Sequence, residues 1–245
     1  MARQRLPSRL QDLIQAGTSV FLEKGYRRAQ VTDIARAMGV APGTVYLYVE
    51  SKEALFDAVI RASTSPESVE RLQMPLKTPT QKETLAFIEN ALKKESRIVS
   101  LETALRRPRN SDATPELENI SRELYAKASQ GWLALKLVER SALDWPELAA
   151  LWFGGHRLRI VNQLTRYLEI RMASGDLRRA PDPAAAARLV LEMVAVFAVH
   201  CRADDASPGR IAPETATETV IDAIVNSYRA QVQAGVQHPK KGRKK

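Results

Sequence analysis

The chain has 245 residues, 44% hydrophobic and 6% aromatic, with a formal net charge of +9. This is an ordinary globular composition, long enough for a sizeable core in one or two domains. A lone Cys201 excludes an internal disulfide and a cysteine zinc cluster and reads as a small buried core residue. The most apolar stretch, Leu189 to Cys201, is interrupted by Glu192 and His200 and falls short of a membrane span, so no membrane partner is expected.

Ala, Leu, Arg and Glu dominate, alternating β-branched runs are scarce and apolar residues recur at helical spacing, which predicts an all-α fold of about nine helices. The basic charge sits at the ends. Residues 1–62 hold nine Lys or Arg against six Asp or Glu, and the last six residues add five more basic side chains. That pattern suits a polyanion-binding head and a solvated tail.

Residues 1–9 form a basic arm with Arg3, Arg5 and Arg9. Leu10, Leu13, Ile14, Gly17, Val20 and Phe21 then line one face of a helix that stops at Gly25. A second helix begins near Val31 and ends at Gly39; Pro42 opens a third, Pro42 to Val49, too short to be stable alone. Ser51 caps a fourth, with Glu53 in its first turn. Residues 63–80, with three prolines, read as a break between head and body. Body helices are expected at 81–106, 115–141, 146–174, 182–202 and 213–234. The resulting division is 1–50 as a head with its basic arm, 51–66 as a connecting helix, 67–238 as a body, and 239–245 as a basic disordered tail.

The helix at 186–201 is apolar on two sides, and Val220, Ile221, Ile224, Val225 and Tyr228 offer a matching stripe. The pair reads as half of an intermolecular four-helix bundle, and so a homodimer. The alternative is a central helix buried within one chain.

FLEKGY at 21–26, VTDIARAMGV at 31–40 and PGTVYLYVESKEALF at 42–56 closely resemble the tetracycline-repressor (TetR) family of bacterial transcription regulators. PELA at 146–149, GDLR at 175–178 and DPAAAARL at 182–189 extend the likeness more loosely into the body. In a helix-turn-helix the second helix enters the major groove and presents its N-terminal half to base edges, which requires small leading residues. Pro42, Gly43 and Thr44 meet that need: Thr44 offers a hydroxyl and a methyl, Pro42 only apolar contact. Tyr46 and Tyr48 are expected on opposite flanks, bonding phosphates, with Lys52 adding a charge nearby. The resemblance implies the same roles: 42–44 and Leu47 face bases, Tyr46, Tyr48 and Lys52 face phosphates, and Gln30 and Thr32 make contacts from the start of the second helix. Gln30 stands where the family often has a capping Ser or Thr, Ala41 where Ser is common, and Leu47 where an aromatic is frequent. With few direct base readers, part of the specificity is expected from Gln30, Thr32, the arginine arm and DNA shape.

The resemblance further implies a helix-turn-helix DNA-binding domain at 1–50 and a ligand-binding and dimerisation domain at 67–238, in a ligand-responsive regulator, a repressor that binds palindromic double-stranded DNA as a dimer and is released by a small-molecule effector. With no span and no apolar signal segment in MARQRLPSRL, a cytoplasmic location is expected. The alternative is a DNA-binding regulator of a protein assembly that does not act through a promoter. Trp152, His156 and Arg159, spaced i, i+4, i+7 on one helical face, are the candidate effector contacts, amid Trp132, Trp145, Phe153 and Asn162. Three histidines without a nearby carboxylate pattern predict no metal site. No nucleophile motif or phosphate loop is present, so neither an enzyme nor a cofactor is expected. PKKGRKK fits a nucleic-acid tail by pattern, whereas the resemblance favours a solubilising tail.

Overall fold

The structure is a computed structural model, and it describes residues 7–65, 73–107, 112–201 and 211–230. The arginines at 3 and 5 and the tail at 239–245 lie outside these residues. The fold is all-α. In the head, α1 (Pro7–Lys24), α2 (Val31–Ala37) and α3 (Pro42–Val45) are followed by α4 (Lys52–Thr64). The body holds α5 (Gln81–Glu95), α6 (Val99–Arg106), α7 (Thr114–Gln130) and α8 (Trp132–Ala142). Next comes α9, which runs from Pro146–Ala149 through a π-helical stretch, Ala150–Arg157, into Leu158–Ser174. It is followed by α10, Pro183–Ala195 with a π-helical end at Val196–His200, and by α11 (Pro213–Tyr228).

Eleven helices among the described residues replace the nine expected, because two predicted helices are each cut in two. The 81–106 helix breaks at 96–98, where the buried Ile98 leads into α6 and the Glu123 carboxylate accepts from the Val99 and Ser100 N–H groups at 2.8 and 2.7 Å. A side chain from a distant helix thus caps α6, a signal that local sequence does not carry. The 115–141 helix breaks at Gly131. The last helix ends at Tyr228 rather than 234 because Arg178 N–H takes the Tyr228 carbonyl at 2.8 Å and its guanidinium takes the Ser227 carbonyl.

Within the head, α1 packs along α4 and both lie on α8, while α2 and α3 pack together. Leu13, Phe21, Ile34, Val49 and Leu55 are fully buried between them. In the body, α10 touches α7, α8, α9 and α11 of its own chain. The stripe expected to pair two chains is therefore spent inside one: Val220, Ile221, Ile224, Val225 and Tyr228 are 0–6% exposed, and α11 lies chiefly on α7. The pattern was apolar on two sides because α10 has neighbours on several sides, the reading of a central helix within one chain. Cys201, expected in the core, is exposed.

Pro183–His200 is an 18-residue helix of mean hydropathy 1.5, long and apolar enough to cross a membrane, longer than the interrupted stretch the sequence suggested. Here its Glu192 is bonded to Arg157 of α9 and Arg188 of its own helix. A buried ion pair also fastens the body: Arg171, 1% exposed on α9, holds the Glu116 carboxylate at 2.9 and 3.2 Å and donates to the Ala104 carbonyl at 3.0 Å. It therefore joins α9 to α6 and to the first turn of α7. Arg171→Met strands the Glu116 carboxylate without its guanidinium, and urea unfolding is expected to show a loss of about 3–5 kcal/mol.

Candidate functional site

The turn into the third helix is set by Gly39, whose φ of +65° a side chain would oppose. The helix itself is a single turn, Pro42–Val45, shorter than the Pro42–Val49 expected. Beyond Val45 the chain tightens: Leu47 N–H bonds Thr44 O at 3.2 Å and Tyr48 N–H bonds Val45 O at 2.9 Å. The backbone then leaves the helix to pair with a remote segment. Leu76 N–H donates to Tyr48 O at 2.8 Å and Glu50 N–H to Leu76 O at 3.0 Å. Lys77 pairs with Glu50 at 2.6 Å, and Thr78 donates its N–H to Glu50 at 3.0 Å and its hydroxyl to Ser51 at 2.8 Å. The stretch read as a break is, over residues 74–80, a strap tied to the end of the third helix, and it runs directly into α5 through the Thr80 cap.

The predicted head residues separate. Pro42 and Gly43 are exposed, and Tyr46 and Leu47 are 50% and 46% exposed on the same outward end; Thr44 is half-buried. Nothing lies within 4 Å of where a Gly43 Cβ would stand, so internal packing does not require glycine there. Tyr48, in contrast, is 6% exposed in the core, correcting the expectation that Tyr46 and Tyr48 flank one groove. The tightening after Val45 turns one ring out and the other in.

Gln30 is exposed, and its backbone N–H is capped by the Asp33 carboxylate at 3.1 Å; its side chain accepts from Thr32 Oγ1 at 3.3 Å. Asp33 thus supplies the reverse half of a capping box, while its own N–H bonds the Gln30 carbonyl at 3.0 Å instead of a capping hydroxyl. Hydrogen bonds from Lys24 and the Gln30 N–H hold the Asp33 carboxyl below its usual range. Lys52 spends two of its three donors on the Tyr26 and Arg27 carbonyls, at 3.1 and 3.3 Å, and stands 4.7 Å above the Tyr26 ring.

Tyr26 is a hub that the sequence did not single out. Its ring stacks on Trp145 at 4.8 Å and lies 4.7 Å from Phe56, while its hydroxyl donates to Glu53 at 3.1 Å. Burial, then the Glu53 charge, pushes the phenol up from its ordinary value. Arg140 of α8 donates to the Glu23 carbonyl at 2.8 Å beside it. Besides the packing of α1 and α4 on α8, head and body are therefore tied at this aromatic joint and at the strap.

Trp152 and His156 do come together, their rings stacked 5.1 Å apart, on the wall of a small cavity of about 50 Å³. Arg159 does not line that cavity: it is exposed and borders a neighbouring cleft that His156, but not Trp152, also lines. The π-helical stretch places more residues in each turn, so the i+7 position rotates off the face and Arg157 takes its place. Arg157 is 8% exposed, bonded to Glu192 and 3.8 Å from Glu139, which also lies 3.4 Å from His200. These partners come from three helices and left no sequence signal. Two π-helical segments, in α9 and α10, supply parts of the same wall. Trp152 Nε1 and Arg157 Nε are buried without a hydrogen-bond partner.

His156 Nδ1 lies 3.2 Å from the Leu92 carbonyl of α5. Burial holds its imidazole down, to about 4 from an ordinary 6.5, with the Arg157 and Arg159 charges adding and the Leu92 carbonyl opposing. Because the unfolded state takes up this proton first, the stability tied to a neutral His156 is complete above pH 6.5. It is lost as pH falls from 6.5 toward 4, on the order of 3 kcal/mol in all. Chemical unfolding between pH 7 and 5 is expected to weaken in the parent chain and to change much less in His156→Gln.

Residues 13–59 match the family model described as bacterial regulatory proteins, tetR family, and residues 118–230 match that of the AefR-like transcriptional repressor, C-terminal domain. The fatty acid metabolism regulator protein of Bacillus subtilis (strain 168) is 36% identical over 87 residues, 35% of this chain and 44% of that protein. The A-factor receptor protein of Streptomyces griseus is 34% identical over 79 residues, 32% of this chain and 29% of that protein. The chain thus matches less than half the length of these curated relatives. Among solved structures, the ketosteroid transcriptional regulator KstR2 of Mycobacterium tuberculosis aligns at a TM-score of 0.52 and 14% identity, covering 94% of this chain and 100% of that one. The TetR-family regulator PfmR from Thermus thermophilus aligns at 0.50 and 20%, covering 87% and 97%. Such likenesses concern the fold. With one family model on the helix-turn-helix head and another across most of the body, the chain belongs to the TetR family of bacterial transcriptional regulators.

Proposed function

We propose that this chain is a ligand-responsive repressor that binds a palindromic operator as a homodimer and is released by a small molecule held in the body cavity. The observation that carries the DNA reading is the outward end of α3: Pro42, Gly43, Tyr46 and Leu47 stand exposed together, and Gly43 has no internal neighbour to account for it. An apolar, glycine-bearing tip left in solvent fits close approach to a base-pair edge. In this reading Thr44, Pro42, Gly43 and Leu47 face bases and the Tyr46 hydroxyl takes a phosphate. Gln30 and Thr32 contact the strand beside α2, and the third donor of Lys52 is left for a phosphate. Tyr48 acts from the core, by seating the helix.

The dimer face in this proposal is the outer side of α10, where Leu189 and Val196, 53% and 42% exposed, lie two turns apart with the half-buried Met193 between. Two heads must then sit near ~34–36 Å apart, or a multiple, to reach successive major grooves. The effector acts by binding one head separation better than another. His156 joins the cavity wall to α5, and the strap joins the start of α5 to residues 48–51. The relatives named as a fatty acid metabolism regulator and as an A-factor receptor support a small-molecule effector.

Selection of bound sequences from random DNA is expected to return a palindrome. On that operator Thr44→Ala and Tyr46→Ala each weaken binding by about tenfold or more with the fold intact, and Tyr48→Phe changes it little. Equal affinity for all four proteins would refute the assignment. For the dimer, sedimentation of the double substitution Leu189→Glu, Val196→Glu is expected to show monomers and operator affinity to collapse; an unchanged dimer places the interface elsewhere.

A further inference from the structure

We infer that the body cavity takes a neutral, largely apolar molecule bearing a carbonyl-type hydrogen-bond acceptor, in preference to a carboxylate or an amine; this rests on the reading of the cavity as the effector site. Its walls are chiefly aliphatic, with Ile98, Leu124, Leu135, Ile160, Leu191 and Val194 among them. Such a lining selects apolar bulk without direction. Direction comes from the polar atoms left over. Among the described residues lining the cavity, the fully buried side-chain atoms without a partner are both donors, Trp152 Nε1–H and Arg157 Nε–H. Their residues are 4% and 8% exposed. A buried N–H left unbonded is costly, so an oxygen brought to it is favoured strongly over a methylene.

The charges of the wall decide what kind of oxygen. The Arg157 guanidinium is bonded to Glu192 and faces Glu139, Glu192 also holds Arg188, and Glu139 faces His200. Glu95 and Lys127 add one charge of each sign. His156 is buried at the Leu92 carbonyl and neutral, so it contributes no cationic charge. Arg157 is thus already neutralised. An entering carboxylate would be desolvated beside two glutamates that hold the guanidinium first, and an entering ammonium would meet two unpaired donors. A ketone, ester or lactone oxygen satisfies a donor without unbalancing the ion pairs. The Trp152 indole is stacked on His156, so an oxygen bound there sits beside the histidine that touches α5.

The test is isothermal titration of the full chain at pH 7 with three probes of equal chain length: 2-octanone, octanoate and octylamine. The expected result is that 2-octanone binds at least about tenfold more tightly than either charged probe, and that Trp152→Phe, which keeps a ring and removes the N–H, cuts the 2-octanone preference by about the same factor. Tighter binding of octanoate or octylamine, or no binding of any probe, overturns the inference, and neither outcome depends on the variant folding. Operator affinity measured with and without 2-octanone separates the two readings: binding with unchanged affinity refutes the effector role while leaving the cavity's chemistry in place.

Discussion

A helix of one turn cannot hold its own shape. Fixing the first turn costs more than its hydrogen bonds return, so Pro42–Val45 exists only because its surroundings impose it. Gly39 aims it, Pro42 starts it, and Val45, Tyr48 and Val49 sink into the head core at 0–6% exposure. The last constraint comes from outside the head: Leu76 takes both backbone groups flanking Val49, and Glu50 and Ser51 close on Lys77 and Thr78. The outward tip, with Tyr46 and Leu47, is as rigid as those anchors.

This dependence is what makes a switch physically plausible in the proposed function. The strap is continuous with α5, whose Leu92 carbonyl meets His156 on the cavity wall. The second joint, Tyr26 against Trp145 and Phe56, with Arg140 on the Glu23 carbonyl, ties the start of the head to the chain leading into α9. The body thus grips the head at both ends of the helix-turn-helix. A packed aromatic joint and a hydrogen-bonded strap have discrete arrangements rather than a continuum, so under the proposed function a small change in the wall would rotate or release the head rather than bend it diffusely.

The cavity owes its character to a departure from helical regularity. With an ordinary α-helical period, Trp152, His156 and Arg159 share a face, and an exposed-side arginine would stand in the cavity. The π-helical stretch at 150–157 instead brings in Arg157, and the π-helical end of α10 sets Val199 and His200 opposite. Once buried, Arg157 requires Glu192 and Glu139, and with Arg188 on Glu192 the two carboxylates meet two guanidiniums, so the cluster is neutral overall.

Local sequence was sufficient for the helices, for the ends at Gly25 and Gly39, for the Ser51 cap and for the outward tip at 42–47, because each depends on residues within a turn or two of one another. The same short-range logic specified Trp152 and His156 as neighbours. It failed where the deciding partner is remote. Glu123 caps α6 from 23 residues away, the strap holds the chain beyond α3 through Lys77, 27 residues after its partner Glu50, and the α11 stripe is covered by α7 of its own chain. Periodicity states how many faces a helix must bury but not what buries them, and it assumes the regular turn that the π-helical stretch breaks. The identities of Tyr26, Arg157 and Leu76 as working parts therefore arose from tertiary packing, which alone brings their partners within bonding distance.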